Sequence, residues 1–148
     1  MNTEIMTETI IGQIIPKANN YLAVPDGQGE RRIIKNDAVR SYERSFCLQC
    51  VKYKNKRIGT QFRLFAEVWQ RSARFDLDNS LKTLLDCLQY VNAITDDNLC
   101  VEIVARKRID PVKPRVKFAI VEICEEQSLF DLHEDFQTIL STHKEAML

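Results

Sequence analysis

Residues 60–70 set the strongest constraint on how this chain can fold. Phe62, Leu64, Ala66 and Val68 alternate there with Arg63, Phe65, Glu67 and Trp69. Successive side chains of a strand point to opposite faces. One face of this strand is therefore wholly apolar, and the other carries two aromatic rings among its charges. A strand of that kind is expected to be covered on both faces. A helix is expected soon after it, over residues 79–89, where Leu81, Leu84, Leu85 and Leu88 recur at helical spacing and Asp78 is a natural N-cap.

The other elements are read around this pair. Residues 9–15 form a first strand ended by Pro16, and residues 17–35 a long loop with Pro25, Asp26 and Gly27 at a turn and Arg31, Arg32 and Lys35 at its basic end. A loop of that length in a small domain is functional or disordered, and the basic end favours function. A helix from Asn36 or Asp37 to about Lys54 places Val39, Tyr42, Phe46, Cys50 and Tyr53 on one face. Residues 99–107 and 115–123 read as two strands, expected to be antiparallel neighbours joined across Asp110 and Pro114. Ser128 opens a last helix with Leu129, Leu132, Phe136 and Leu140 on its buried side. The order is β-α-β-α-β-β-α, which makes an α+β single domain around one small mixed sheet. Residues 1–127 are expected to be its core, and residues 128–148 a C-terminal helical extension packed on it.

At 148 residues the chain is long enough to bury one core. No apolar run reaches the roughly 18 residues of a membrane span, and no signal peptide opens the sequence. Five cysteines form no disulfide framework, so a reduced, cytoplasmic protein is expected. Cys47 and Cys50 have Cys-x-x-Cys spacing, but they sit mid-helix without a second Cys/His pair, and the histidines are His133 and His143. Zinc or redox chemistry is set aside on that ground.

The net charge of zero hides a partition. Residues 1–30 carry one lysine against four acids, residues 31–74 twelve Lys/Arg against three acids, and residues 75–148 eight against fourteen. A middle third at +9 can neutralise phosphates. It runs straight into Asp76 and Asp78, with Lys82 four residues later and Asp96 and Asp97 beyond the helix. Residues two apart on an extended segment share a face, so Asp76 and Asp78 can flank one cation. Mg²⁺ takes oxygen ligands, and one or two carboxylates with a substrate phosphate suffice for it. Lys82 can hold a phosphate oxygen, and Asn79 can bond backbone or phosphate.

Geometry tests whether Asp97 joins them. A helix over residues 79–89 climbs roughly 15 Å, and the eight steps from Gln89 to Asp97 span at most about 26–29 Å. Asp97 is expected to return to the level of Asp78 if the chain doubles straight back.

The run Arg74, Phe75, Asp76, Leu77, Asp78, Asn79, Ser80, Leu81, Lys82, followed by Asp86 and Leu88 and then by Asp96, Asp97, Asn98 and Leu99, resembles the RusA family of Holliday junction resolvases. The resemblance extends more loosely over residues 9–123. It implies a Mg²⁺-dependent structure-selective endonuclease, with Mn²⁺ able to substitute. Such an enzyme acts as a homodimer that resolves a four-way junction or other branched DNA by symmetric paired incision, in recombination and repair. Carried over residue by residue, Asp76, Asp78 and Asp97 match the catalytic metal-binding acids and Lys82 the essential lysine. Asp96 and Asn79 stand as metal or surrounding ligands. Lys17, Arg31, Arg32, Lys35, Arg40 and Arg74 are the candidate DNA contacts. The chain departs from the family in breaking the basic run before the first acid, as Arg71, Ser72, Ala73, Arg74, Phe75. The alternative is a branched-DNA-binding module that does not cut. The outer face holding Phe65 and Trp69 is open either to a dimer interface or to core packing.

Overall fold

In the computed structural model, which describes residues 5–16 and 21–123, the alternating strand β4 (Phe62–Gln70) has a neighbour on each side. The sheet also holds β1 (Glu8–Ile11), β5 (Cys100–Ile109) and β6 (Arg115–Glu122), in the order β1-β6-β4-β5. β6 is antiparallel to β1 and to β4, whereas β5 runs parallel to β4. The sheet is mixed, as expected.

Two helices cover one face of it, α1 (Asp37–Gln49) and α2 (Leu77–Tyr90). Phe62, Leu64, Ala66 and Val68 meet Tyr42 and Phe46 of α1, Leu84, Cys87 and Leu88 of α2, and Phe118 of β6 in one core. Phe46 and Phe118 stack with ring centroids 5.9 Å apart. On the opposite face the two outer aromatics of β4 are covered by the chain's own arginines. The Arg115 guanidinium lies 4.0 Å from the Trp69 ring centroid, and that of Arg63 5.9 Å from Phe65.

Several expected boundaries and pairings are corrected. The two last strands are not neighbours, because β4 lies between them. The connection from Ile109 to Arg115 crosses the end of β4 and is fastened there, with the Asp110 amide donating to the Gln70 carbonyl at 2.8 Å. The Asp110 carboxylate accepts from the amides of Val112 and Lys113 and from Arg115. These bonds hold it below the usual carboxylate range, the Lys113 amide contributing most and Arg115 next. β4, α2 and β5 thus form a β-α-β unit, the connection that parallel strands require.

Residues 21–35 are not a loop. They form a hairpin of β2 (Tyr21–Pro25) and β3 (Arg31–Lys35), a two-stranded sheet of its own. Its turn is closed by Asp26, whose Oδ1 accepts from Gln28 and Glu30, while Gly27 and Gly29 supply positive φ values of 84° and 88°.

Strand β1 ends at Ile11 rather than Ile15, because Gly12 turns at φ 119° and donates to the Pro114 carbonyl. Helix α1 is capped by Asn36, whose Oδ1 accepts from Val39 at 3.0 Å. It stops at Gln49, short of Lys54, since the Glu8 carboxylate takes the amides of Val51, Lys52 and Tyr53. The expected C-terminal helix and the boundary at residue 127 lie outside the described residues. Among the described residues, no helix is long and apolar enough to cross a membrane.

Candidate active site

The helix carrying the acidic motif begins two residues earlier than its sequence suggests. Asp76 is the N-cap of α2, with φ −79° and ψ 138°, and Asp78 lies in the first helical turn. This corrects the expected cap at Asp78 and the expected extended segment through Asp76 and Asp78. The cause is packing. Leu77 packs against the core in the same apolar stripe as Leu81, Leu84, Leu85 and Leu88, so the helix must already be wound at residue 77.

The Asp76 side chain makes no capping hydrogen bond. Ser80 does local work instead. Its hydroxyl donates to the Asp76 carbonyl at 3.0 Å and accepts from the buried Gln70 amide at 2.6 Å, joining the end of β4 to the start of α2. The carboxylates of Asp76 and Asp78 are left exposed at a helix N-terminus, where the macrodipole favours negative charge. Asn79 is half-buried beside them. Lys82 is exposed one turn along, and among the described residues it forms no ion pair with Asp78.

Two further groups shape this corner, and the sequence reading did not single them out. Lys107 of β5 donates through Nζ to the carbonyls of Ala73 and Phe75, both at 3.2 Å, which fastens the loop that leads into Asp76. Gln13 accepts from the Arg71 amide at 2.8 Å. No local motif marks either residue, because each acts through a main-chain group that is distant in sequence. Arg74 is exposed in the same loop. Arg31 and Arg32 are exposed on β3, Lys35 ends β3, and Arg40 is exposed in the first turn of α1. Lys17 lies outside the described residues.

Asp96 and Asp97 do not join this corner within one chain, against the expected return of Asp97 to the level of Asp78. Asp96 caps a 3₁₀ turn (Asp97–Leu99), its Oδ1 accepting from Asn98 at 3.0 Å. The Asp97 amide donates to Oε1 of Gln89 at 3.3 Å, in the last turn of α2. Eleven helical positions from Asp78 to Gln89 amount to about 16 Å along the axis. The sheet agrees. Cys100, just after the turn, pairs with Phe62 at the start of β4, whereas the Phe75 carbonyl is reached by Lys107, seven strand positions or about 23 Å further on. Asp76 and Asp78 stand at one end of α2, Asp96 and Asp97 at the other. Accordingly, among the described residues no three His, Cys, Asp or Glu side chains come together as a metal-binding group.

Cys47 and Cys50 do not form a site either. The Cys50 thiol donates to Oε2 of Glu8 at 3.3 Å, and burial, then Glu8, pushes its pKa up to about 12, so it stays protonated at neutral pH.

The family model of endodeoxyribonuclease RusA matches residues 12–121. The chain belongs to the RusA family of endodeoxyribonucleases. The match begins just after β1 and spans β2 to β6 except the last residue of β6, both helices, and Asp76, Asp78, Asp96 and Asp97. No curated protein matches the chain. Family membership makes the exposed acids at the start of α2 part of a nuclease domain, with the branched DNA of Holliday junctions as the family's substrate.

Proposed function

We propose that this RusA-family protein is a Mg²⁺-dependent endonuclease that resolves four-way DNA junctions by paired symmetric incision as a homodimer. The observation that carries the reading is the geometry at the start of α2. Two exposed carboxylates stand there, Asp76 at the N-cap and Asp78 in the first turn; no capping bond uses the Asp76 side chain, and Lys82 follows one turn later. Hard oxygen donors in this arrangement suit Mg²⁺, and Mn²⁺ would substitute. Bound there, the cation would polarise the scissile phosphate and activate water for in-line attack.

The chain's own residues supply the rest. Asp76 and Asp78 would hold the cation. Asn79 would bond its surrounding shell or the phosphate, whereas Asp96, like Asp97, lies at the far end of α2 in its own chain. Lys82 would neutralise a phosphate oxygen as negative charge builds. The loop fastened by Lys107 would set the height of Arg74 against the backbone. Arg31, Arg32, Lys35, Arg40 and Lys17 would contact phosphates, which fixes position and affinity but not base identity.

Asp97 completes a three-carboxylate set only from elsewhere, since α2 separates it from Asp78 in its own chain. In a homodimer, the second copy would supply it. A mixture of Asp78→Asn and Asp97→Asn chains tests this directly. If each site draws Asp97 from its partner, half-mutant dimers hold one intact site and regain single nicks that neither variant makes alone. If Asp97 acts within its own chain, both sites stay dead.

The function itself is tested with an end-labelled synthetic four-way junction in Mg²⁺ and in EDTA. Paired nicks only with Mg²⁺ are the expected outcome. Binding without incision across several junction sequences would overturn the enzyme reading in favour of a branched-DNA-binding module.

A further inference from the structure

Four cations follow helix α1, and the fold treats them in two ways. Lys52 donates through Nζ to the Thr7 carbonyl at 2.8 Å, and Lys54 to the Cys47 carbonyl at 2.7 Å. Lys56 and Arg57 are exposed, and among the described residues neither side chain takes part in a hydrogen bond or an ion pair. Two cations hold the loop, and two are presented by it.

The backbone that presents them is unusual. Among the described residues, the non-glycine positions with positive φ are Asn55 at 63°, Arg57 at 50° and Asn92 at 56°. They lie on two segments bonded to each other. The Asn55 amide donates to the Val91 carbonyl at 3.1 Å, Arg57 to Asn92 at 2.9 Å and Ile58 to Ala93 at 3.0 Å. The Thr95 amide returns a bond to the Ile58 carbonyl at 3.0 Å. Asparagine enters the left-handed region with ease, because its short polar side chain bonds locally. An arginine enters it at a cost that glycine would avoid. Strain of this kind persists where the surroundings impose it, and it gathers at functional sites.

The partner segment ends in Asp96 and Asp97. Ile58 and Ile94 form a parallel bridge, so Arg57 stands level with Ala93, four residues before Asp97. Strand spacing puts the two backbones at most about 15 Å apart. Duplex DNA carries one charge per roughly 1.7 Å of its axis, so an arm that meets Asp97 also runs past Lys56 and Arg57.

We propose that Lys56 and Arg57 form a phosphate clamp that holds a DNA arm beside Asp97. The bonds between residues 55–58 and 91–95 keep the cations and the acid in one fixed relation. The clamp takes the sugar-phosphate backbone, so it sets position and affinity and not base identity. It lies at the opposite end of α2 from Arg74 and Lys82. It rests on the junction-nuclease reading for its ligand, but its test is a binding measurement that needs no cleavage.

The experiment is fluorescence anisotropy of a labelled synthetic four-way junction in EDTA over a salt series, with wild type, Arg57→Gly, Arg57→Lys and Lys56→Ala. Each lost phosphate contact lowers the slope of log affinity against log salt by roughly one. Arg57→Gly and Lys56→Ala are each expected to show that loss, and Arg57→Lys, which keeps the charge, the wild-type slope. Glycine also relieves the left-handed backbone, so the thermal midpoint of Arg57→Gly is expected to equal or exceed that of wild type. A residue that only shaped the loop would not combine weaker binding with undiminished stability. Wild-type slope and affinity in both Arg57→Gly and Lys56→Ala overturn the clamp, even if wild type cuts junctions. An equal loss in Arg57→Lys overturns it as well, because the charge is still there. The expected slopes in a wild-type background that never cuts with Mg²⁺ leave the clamp standing and overturn the nuclease reading instead.

Discussion

The two ends of α2 carry the two acidic groups, yet they are held in different ways. At the N-terminal end, side chains from several elements do the holding. Gln70 bonds Ser80, Ser80 bonds the Asp76 carbonyl, Lys107 bonds the loop before it, and Thr83 donates to the Ile15 carbonyl at 2.6 Å. At the C-terminal end the bonds are mainly between backbones. Ala93 donates to Leu88, Arg57 to Asn92 and Ile58 to Ala93, with Asn92 at φ 56° turning the chain out of the helix. Side-chain latches fix direction and are lost by single substitutions. Backbone ladders tolerate changes of side chain. The end that carries Asp76 and Asp78 is therefore built for orientation, and the end that precedes Asp97 for anchorage.

The sharpest way to test this contrast is Asp78→Asn. Several kcal/mol of charge stabilisation would go with the cation, so junction cleavage should fall by about a thousandfold or more. The midpoint of thermal unfolding should barely move, because an exposed substitution stays within roughly 0.5 kcal/mol. Leu88→Ala should do the reverse. Leu88 is fully buried, and its truncation should cost about 2–5 kcal/mol in denaturant titration while the folded fraction still cuts. Ser80→Ala lies between them. It leaves the buried Gln70 amide without its acceptor, a cost of about 1–3 kcal/mol, and frees the first turn. Cleavage per folded molecule should therefore drop as well, which Leu88→Ala does not predict.

The smallest effect is expected at the crossover that braces this same corner. The Asp110 carboxyl is lowered in the folded state by the Lys113 amide and Arg115, so the unfolded chain binds the proton more readily. Its contribution is present above the ordinary carboxylate pKa of about 3.9 and is lost as pH falls through the lowered folded value. Asp110→Asn should therefore lower stability slightly at neutral pH, with the gap from wild type closing in strong acid. A stability-versus-pH curve checks this.

How much of this was legible in the sequence depended on the range of the interactions. The alternation of β4 and the leucine stripe of α2 are local periodicities, and both were found where expected. The start of α2 was missed by two residues because Asp76 and Asp78 are equally good caps by type, and only the burial of Leu77 decides between them. The β2–β3 hairpin was hidden by its own turn. Pro25, Asp26, Gly27 and Gly29 outweighed the short runs beside them, Leu22, Ala23, Val24 on one side and Ile33, Ile34 on the other. The order of β5 and β6 was misread because a short connection favours a hairpin, whereas Asp110 bends this one across β4. A strand, a helix and a second strand in succession already described a parallel unit, and that signal was underweighted. The acids proposed for the site were singled out by type and spacing. Their separation was not, since it depends on the path between Gln89 and Asp97.

The Glu8 carboxylate bears on the order in which the chain folds. It receives amides 43 to 45 residues further along, at the point where α1 stops. Without it, the apolar stripe of α1 continues through Cys50 and Tyr53, so the chain in transit can wind a longer helix than the native one. Docking of β1 would end such a surplus turn, the amides then taking the Glu8 carboxylate in place of helical carbonyls. The end of a local element is thus written by a remote one, and closing the loop between them is an entropic step that helix formation alone does not require. The amides of Val51, Lys52 and Tyr53 should accordingly exchange with solvent at the rate at which β1 detaches, and their hydrogen exchange becomes a clock for the first strand.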